Sequence, residues 1–111
     1  MIYLASPYSH PSAQVRKARF NATQSFVAYC YRNRLQVFSP IVYSHQFVQY
    51  GLGTSAGDWD FLNREVMEWC AGIWVLKLEG WQESVGIAEE IRFFQSRGIQ
   101  PEYKEFRSWH E

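Results

Sequence analysis

Ala71-Gly-Ile-Trp-Val-Leu-Lys-Leu-Glu-Gly-Trp-Gln-Glu-Ser-Val-Gly-Ile-Ala-Glu-Glu-Ile-Arg-Phe-Phe-Gln-Ser-Arg-Gly98 decides the fold. Ile73 to Leu78 is a short, mostly apolar run, the length of a buried strand in a parallel sheet. Glu79 to Glu83 reads as a turn, Ser84 as a helix N-cap and Gly98 as the stop of that helix. In open α/β sheets, ligands bind in the crevice beyond the carboxyl ends of the strands. The turn and the first two turns of the helix are therefore where chemistry is expected.

Two adjacent carboxylates lie on that helix, and geometry separates them. Each residue advances by about 100°, so Ile87, Ile91 and Phe94 share one apolar stripe. Glu90 falls about 60° from Ile87, at the edge of the stripe, while Glu89 falls about 160° away on the outer face. Gly86, one turn before Glu90, leaves space for a ligand beside the carboxylate. The plain alternative for Glu90 is a solvated boundary residue, as most acidic side chains are.

Working outward, Ile2 to Ala5 is a short apolar strand, broken by Ser6-Pro7-Tyr8-Ser9-His10-Pro11. Either Ser9 or Ser12 can cap the next helix, which the spacing of Val15, Ala18, Ala22, Phe26 and Tyr29 runs from about Ser12 to about Asn33. Arg16, Lys17 and Arg19 near its start read as a solvated face or as holders of an anion near the loop. Leu35 to Phe38 is a second strand, closed by Ser39-Pro40, which completes a βαβ unit. Ile41 to Ala56 has no clear period and reads as a mobile loop, with a helical turn around Ser44 to Tyr50. His45 within it fits a hydrogen-bonded structural histidine better than a ligand. Gly51, Gly53 and Gly57 do not form a phosphate-binding loop, because the GK[ST] ending is absent. Asp58 is expected to open a helix running to Trp69, with Asp58 and Asp60 suited to capping its N-terminus. Ile99 to Pro101 reads as an edge strand or extended piece, and Tyr103 to Glu111 as a last helical turn.

The whole is one domain over residues 1–111, since this length leaves little room for two. The expected class is α/β, a three-layer sandwich on a small parallel sheet of about four to five strands, in a 2-1-3-4 type order with the first and central strands adjacent. The formal net charge is zero, with 11 basic and 11 acidic residues, which argues against a nucleic-acid polymer as partner. Cys30 and Cys70 lack a CxxC spacing and read as free buried thiols of a reducing cytoplasm. No stretch is long enough to span a membrane, and Met1 leads straight into a strand, so no signal peptide is expected. Aromatic residues reach 18%, with five Trp. Such a content suits an aromatic cleft or a buried homodimer interface, with Tyr43, Tyr50, Trp59 and Trp69 as contributors.

Met1-Ile-Tyr-Leu-Ala-Ser-Pro-Tyr-Ser9 and Gly80-Trp-Gln-Glu-Ser-Val-Gly-Ile-Ala-Glu-Glu-Ile91 together resemble the nucleoside 2-deoxyribosyltransferase-like superfamily. More narrowly, they resemble an uncharacterised bacterial and phage branch related to the 2′-deoxynucleoside 5′-phosphate N-hydrolases. The likeness runs from Met1 to Gly98, and Ser84-x-Gly86-x-x-x-Glu90 is its most specific element. It implies a flavodoxin-like fold, a homodimer or higher oligomer that shares its sites, and a small nucleoside or nucleotide as ligand. It implies Glu90 as nucleophile on the anomeric carbon, and Asp60 or Asp58 as acid or sugar anchor, with Glu65 a third candidate. Substrate contacts are implied for Ala5, Ser6, Tyr8 and Ser9, and for Gly80, Trp81, Ser84 and Gly86. Tyr8 and Trp81 would stack on a base, and Ser84 would help hold a phosphate. No metal and no cofactor are required. Where the superfamily often has an aspartate at the start of the central strand, this chain has Cys70-Ala71-Gly72. The alternatives are a non-catalytic nucleotide-binding or sensing module on the same fold, and a dimeric structural protein.

Overall fold

The computed structural model describes residues 1–105. Four strands, β1 (Ile2–Ala5), β2 (Val37–Phe38), β3 (Gly72–Lys77) and β4 (Glu102–Glu105), form one sheet in the order β2-β1-β3-β4. Every pairing is parallel, with Tyr3 opposite Phe38 and Ile73, and Val75 opposite Tyr103. The expected class and strand order are those observed, and the neighbouring of β1 and β3 puts their carboxyl ends side by side.

Alternation of side chains along the strands divides the core in two. Tyr3, Ala5, Ile73 and Val75 pack on one face with Met67, Ile87 and Phe94. Leu4, Leu76 and Leu78 pack on the other with Phe26 and Cys30. The helices α1 (Ala13–Arg32), α3 (Asp60–Trp69) and α4 (Val85–Gln95) supply those partners, α1 to one face and α3 with α4 to the other, so the molecule has three layers. Both cysteines are buried and unpaired.

Serines cap α1 and α4, as N-cap chemistry favours, whereas α3 follows Trp59 without a side-chain cap. Ser12 Oγ accepts from the Val15 N–H at 3.3 Å, and Ser84 Oγ from the Ile87 N–H at 3.2 Å. Both long crossover helices close with paired bonds of the Schellman type. In α4 the N–H groups of Ile99 and Gly98 donate to Phe94 and Gln95 carbonyls at 3.0 and 2.9 Å, with Gly98 at φ +77°.

The segment after β2 departs from expectation. Ser39-Pro40 does not merely end a strand: Ser39 Oγ caps a short helix, α2 (Pro40–Ser44), whose first residue is the proline. A 3₁₀ turn over His45–Tyr50 follows, and another over Ala56–Trp59 leads into α3, which starts at Asp60 rather than Asp58. What reads as a loop is therefore largely helical. Its aromatic side chains explain the difference: Tyr43 contacts Phe47 and Trp59 at ring separations of 5.4 and 6.2 Å, and Phe47 contacts Trp59 at 6.0 Å. The edge strand also lies later than expected, at Glu102–Glu105 instead of Ile99 to Pro101. Tyr103, Lys104 and Glu105 are thus in a strand, not a final helical turn, and the rest of that expected turn lies outside the described residues.

Candidate functional site

A cleft of about 470 Å³ opens at the carboxyl ends of β1 and β3. Its walls come from three places: Ser6, Tyr8, Ser9 and His10 after β1; Pro40, Ile41, Ser44, Trp59 and Asn63 from the α2–α3 region; and Gly80, Ser84, Gly86 and Glu90 from the turn after β3 and the start of α4. The parallel crossovers bring these together, because each strand releases its loop at the same edge of the sheet.

Glu90 sits where α4 crosses Tyr3. The phenol of Tyr3 is fully buried and donates a 2.7 Å hydrogen bond to Glu90 Oε2. Burial pushes the Glu90 carboxyl up to about 8, with Asp60 and Glu89 adding to the rise, while the Tyr3 hydrogen bond works against it. The Tyr3 hydroxyl is itself pushed far up, first by burial and then by the Glu90 charge, so it remains a donor. Glu89 is exposed, as the helical angle predicts. A side hollow of about 30 Å³, lined by Asp60, Arg64, Met67, Glu89 and Phe93, shares Asn63, Gly86 and Glu90 with the cleft. That volume suits a water molecule.

The mouth of the cleft is stapled by Arg19. Its guanidinium donates to the Ser9 carbonyl at 3.0 Å and to the Glu79 carbonyl at 3.3 Å, joining the β1–α1 loop to the β3–α4 turn. Gly80 stands at φ +90°, and a Cβ there would lie 2.5 Å from the same guanidinium. The turn therefore calls for glycine through its backbone angle, and a side chain there would also push the guanidinium aside. Across the cleft wall, Tyr8 Oη and His45 Nδ1 lie 2.6 Å apart, so His45 is hydrogen-bonded as expected of a structural histidine.

Of the residues expected at a site, the fold gathers Glu90, Ser6, Tyr8, Ser9, Gly80, Ser84 and Gly86 around the cleft. Asp60 reaches Glu90 only through the side hollow. Asp58 is taken up in a capping box, its carboxylate accepting from the Ser55 N–H at 2.9 Å. Ala5 is wholly buried in the core, and Trp81 packs on Tyr103 at 5.4 Å, so neither lines the cleft. Glu65 is exposed on α3 and lines neither hollow.

Sequence reasoning missed Tyr3 and Asn63, and left Arg19 between two readings. A tyrosine inside a four-residue core strand was a signal, since a buried phenol needs a partner. Asn63 had none, because its place depends on how α3 lies over α4. Among the described residues, no helix is long and apolar enough to cross a membrane. Nor does any group of three or more His, Cys, Asp or Glu side chains there form a metal-holding cluster. No curated protein matches the chain. A family model does match, over residues 1–103, and the chain accordingly belongs to the family described as a domain of unknown function, DUF1937.

Proposed function

We propose that the chain cleaves or transfers the N-glycosidic bond of a nucleoside or nucleotide, with Glu90 as nucleophile. The observation that carries this reading is the Glu90 carboxyl on the cleft wall, bonded to Tyr3 and flanked by Gly86. Attack of a Glu90 oxygen on the anomeric carbon would break the bond to the base and leave a glycosyl ester, as in a retaining glycosidase. Water or a second base would then release the sugar and restore the carboxylate. Asp60, across the side hollow, is the candidate acid or anchor. The resemblance in the β1 loop and in Ser84-x-Gly86-x-x-x-Glu90 points the same way, and with it to a homodimer or higher oligomer, while the two free cysteines suit the cytoplasm.

One observation favours the second reading, a nucleotide-binding or sensing module without catalysis. With its carboxyl pushed up to about 8, Glu90 is mostly protonated at neutral pH, and a protonated acid is a poor nucleophile. Base release distinguishes the two. The protein is incubated with 2′-deoxynucleosides and their 5′-monophosphates, and free base is measured by chromatography. The enzyme reading expects release that falls by about 10³-fold or more in Glu90→Gln. Thermal stabilisation by a nucleotide without base release would leave the binding reading standing.

A further inference from the structure

His45 has no part in the chemistry proposed for Glu90, and it is not among the residues lining the cleft. It lies directly behind one that is. Tyr8 is 8% exposed, lines the cleft, and meets His45 Nδ1 through its hydroxyl at 2.6 Å. A phenol is a stronger donor than an imidazole N–H, and an imidazole nitrogen a stronger acceptor than a phenol oxygen. The hydroxyl therefore donates, and the imidazole is neutral with its proton on Nε2. Burial, with Lys17 and Arg16 nearby on α1, holds the imidazole below its ordinary value and so keeps it an acceptor. Arg16 also acts on the Tyr8 hydroxyl, opposing the rise that burial causes.

The imidazole is itself held in place. Phe20 of α1 stacks on it at 4.2 Å and 23°, while the Tyr8 ring meets it edge-on at 5.5 Å and 81°. A tyrosine on a loop ordinarily turns about two side-chain torsions. Here the hydroxyl is held by His45, itself stacked against α1, with the Arg16 guanidinium as a second partner.

We propose that His45 is a positioning residue, which fixes the Tyr8 ring as a flat wall of the cleft for a planar aromatic group of the ligand. The inference rests on the reading above in taking that group to be a nucleobase. A fixed ring needs no ordering when the ligand arrives, so its contact with the base is retained in full.

The test uses two probes, 2′-deoxyadenosine 5′-monophosphate and base-free ribose 5-phosphate. Titration calorimetry on His45→Phe, which keeps the stack on Phe20 and removes the acceptor, is expected to show about tenfold weaker binding of the nucleotide. Binding of ribose 5-phosphate should not change. His45→Asn, which retains an acceptor at the δ position, should restore nucleotide affinity. Tyr8→Phe, which removes the Arg16 contact as well, should lose at least as much as His45→Phe, and the double variant should be no weaker than Tyr8→Phe alone; Tyr8→Phe carries the test should His45→Phe fail to fold. Unchanged nucleotide affinity in both single variants, equal loss of both probes, or additivity in the double variant would overturn the proposal. Should the wild-type protein bind neither probe, the nucleoside reading fails, and the χ1 rotamer of Tyr8, read from side-chain couplings by NMR, decides about His45. One populated rotamer in wild type and His45→Asn, with rotamer averaging in His45→Phe, supports the positioning role; averaging in wild type removes it.

Discussion

The Tyr3–Glu90 contact joins residues 87 positions apart, and it couples stability to pH. Glu90 holds its proton up to about 8 in the folded chain, whereas an ordinary glutamate loses it near 4.5. Between those values the folded state binds more protons than the unfolded one, so this group's contribution to stability falls as pH rises, and levels off above about 8. Glu90→Gln removes the coupling while leaving an acceptor for Tyr3. Urea denaturation should therefore find the variant more stable than wild type at pH 9, on the order of 2 kcal/mol, with the gap closing toward pH 4.5. Parallel stability profiles for the two proteins would show that Glu90 is not buried in this way. Helical geometry was enough to place Glu90 beside the apolar stripe and Glu89 outside it. It could not supply Tyr3, because nothing local to α4 says which strand residue lies beneath it.

Helix ends are the element whose chemistry is most legible here, and one of them breaks the rule. At the close of α1, Leu35 and Arg34 N–H groups donate to the Cys30 and Tyr31 carbonyls at 2.9 and 3.0 Å. This is the same closure that ends α4, but the left-handed position holds Arg34, at φ +61°, where α4 has Gly98. A side chain there costs about 1–2 kcal/mol, partly offset by the entropy glycine loses on folding. Arg34→Gly is thus expected to stabilise the protein by about 0.5–1 kcal/mol, read as a higher thermal midpoint. No change, or a loss, would mean that Arg34 makes compensating contacts. Other elements were legible in part. Ser39-Pro40 carries a helix-start signature, a capping serine followed by proline at the first helical position. It is obscured by the short β2, and α2 is too short to show a period. The strand β4 was misplaced for a different reason: Glu102-Tyr-Lys-Glu105 has no apolar run. It is held by pairing to β3, by a 2.8 Å Lys77–Glu105 ion pair, and by Lys104 over the Trp74 ring at 4.2 Å.

At the scale of the whole molecule, the high aromatic content goes beyond the core rings of Tyr3, Phe26 and Phe94. Tyr43, Phe47 and Trp59 brace the segment between β2 and α3, so Tyr43 and Trp59 serve the chain's own fold. Tyr50, Phe61 and Trp69 remain 72%, 78% and 79% exposed. If the proposed homodimer forms, these side chains are part of the apolar surface available to it, beside others such as Tyr31 and Val85. Light scattering is expected to give twice the monomer mass at high micromolar concentration, and Trp69→Glu to shift the protein toward monomer; a wild-type monomer would refute the dimer. The sequence by itself determined the α/β class, the Ser84 cap and the side of α4 on which Glu90 lies, and its βαβ pattern pointed to the parallel strand order. The cap and the helix face follow from short-range periodicity and from backbone groups that must be satisfied within a few residues. Only the tertiary structure decided that Tyr3 holds Glu90, that Arg19 staples two loops, that Asp58 is consumed in a cap while Asp60 stays near the carboxylate, and that His45 backs Tyr8. The staple, the Tyr3 bond and the His45 bond link residues 10 to 87 positions apart, and even the local fate of Asp58 depends on where the turn before α3 begins. Such pairings depend on how the layers seat against one another, which no local pattern specifies.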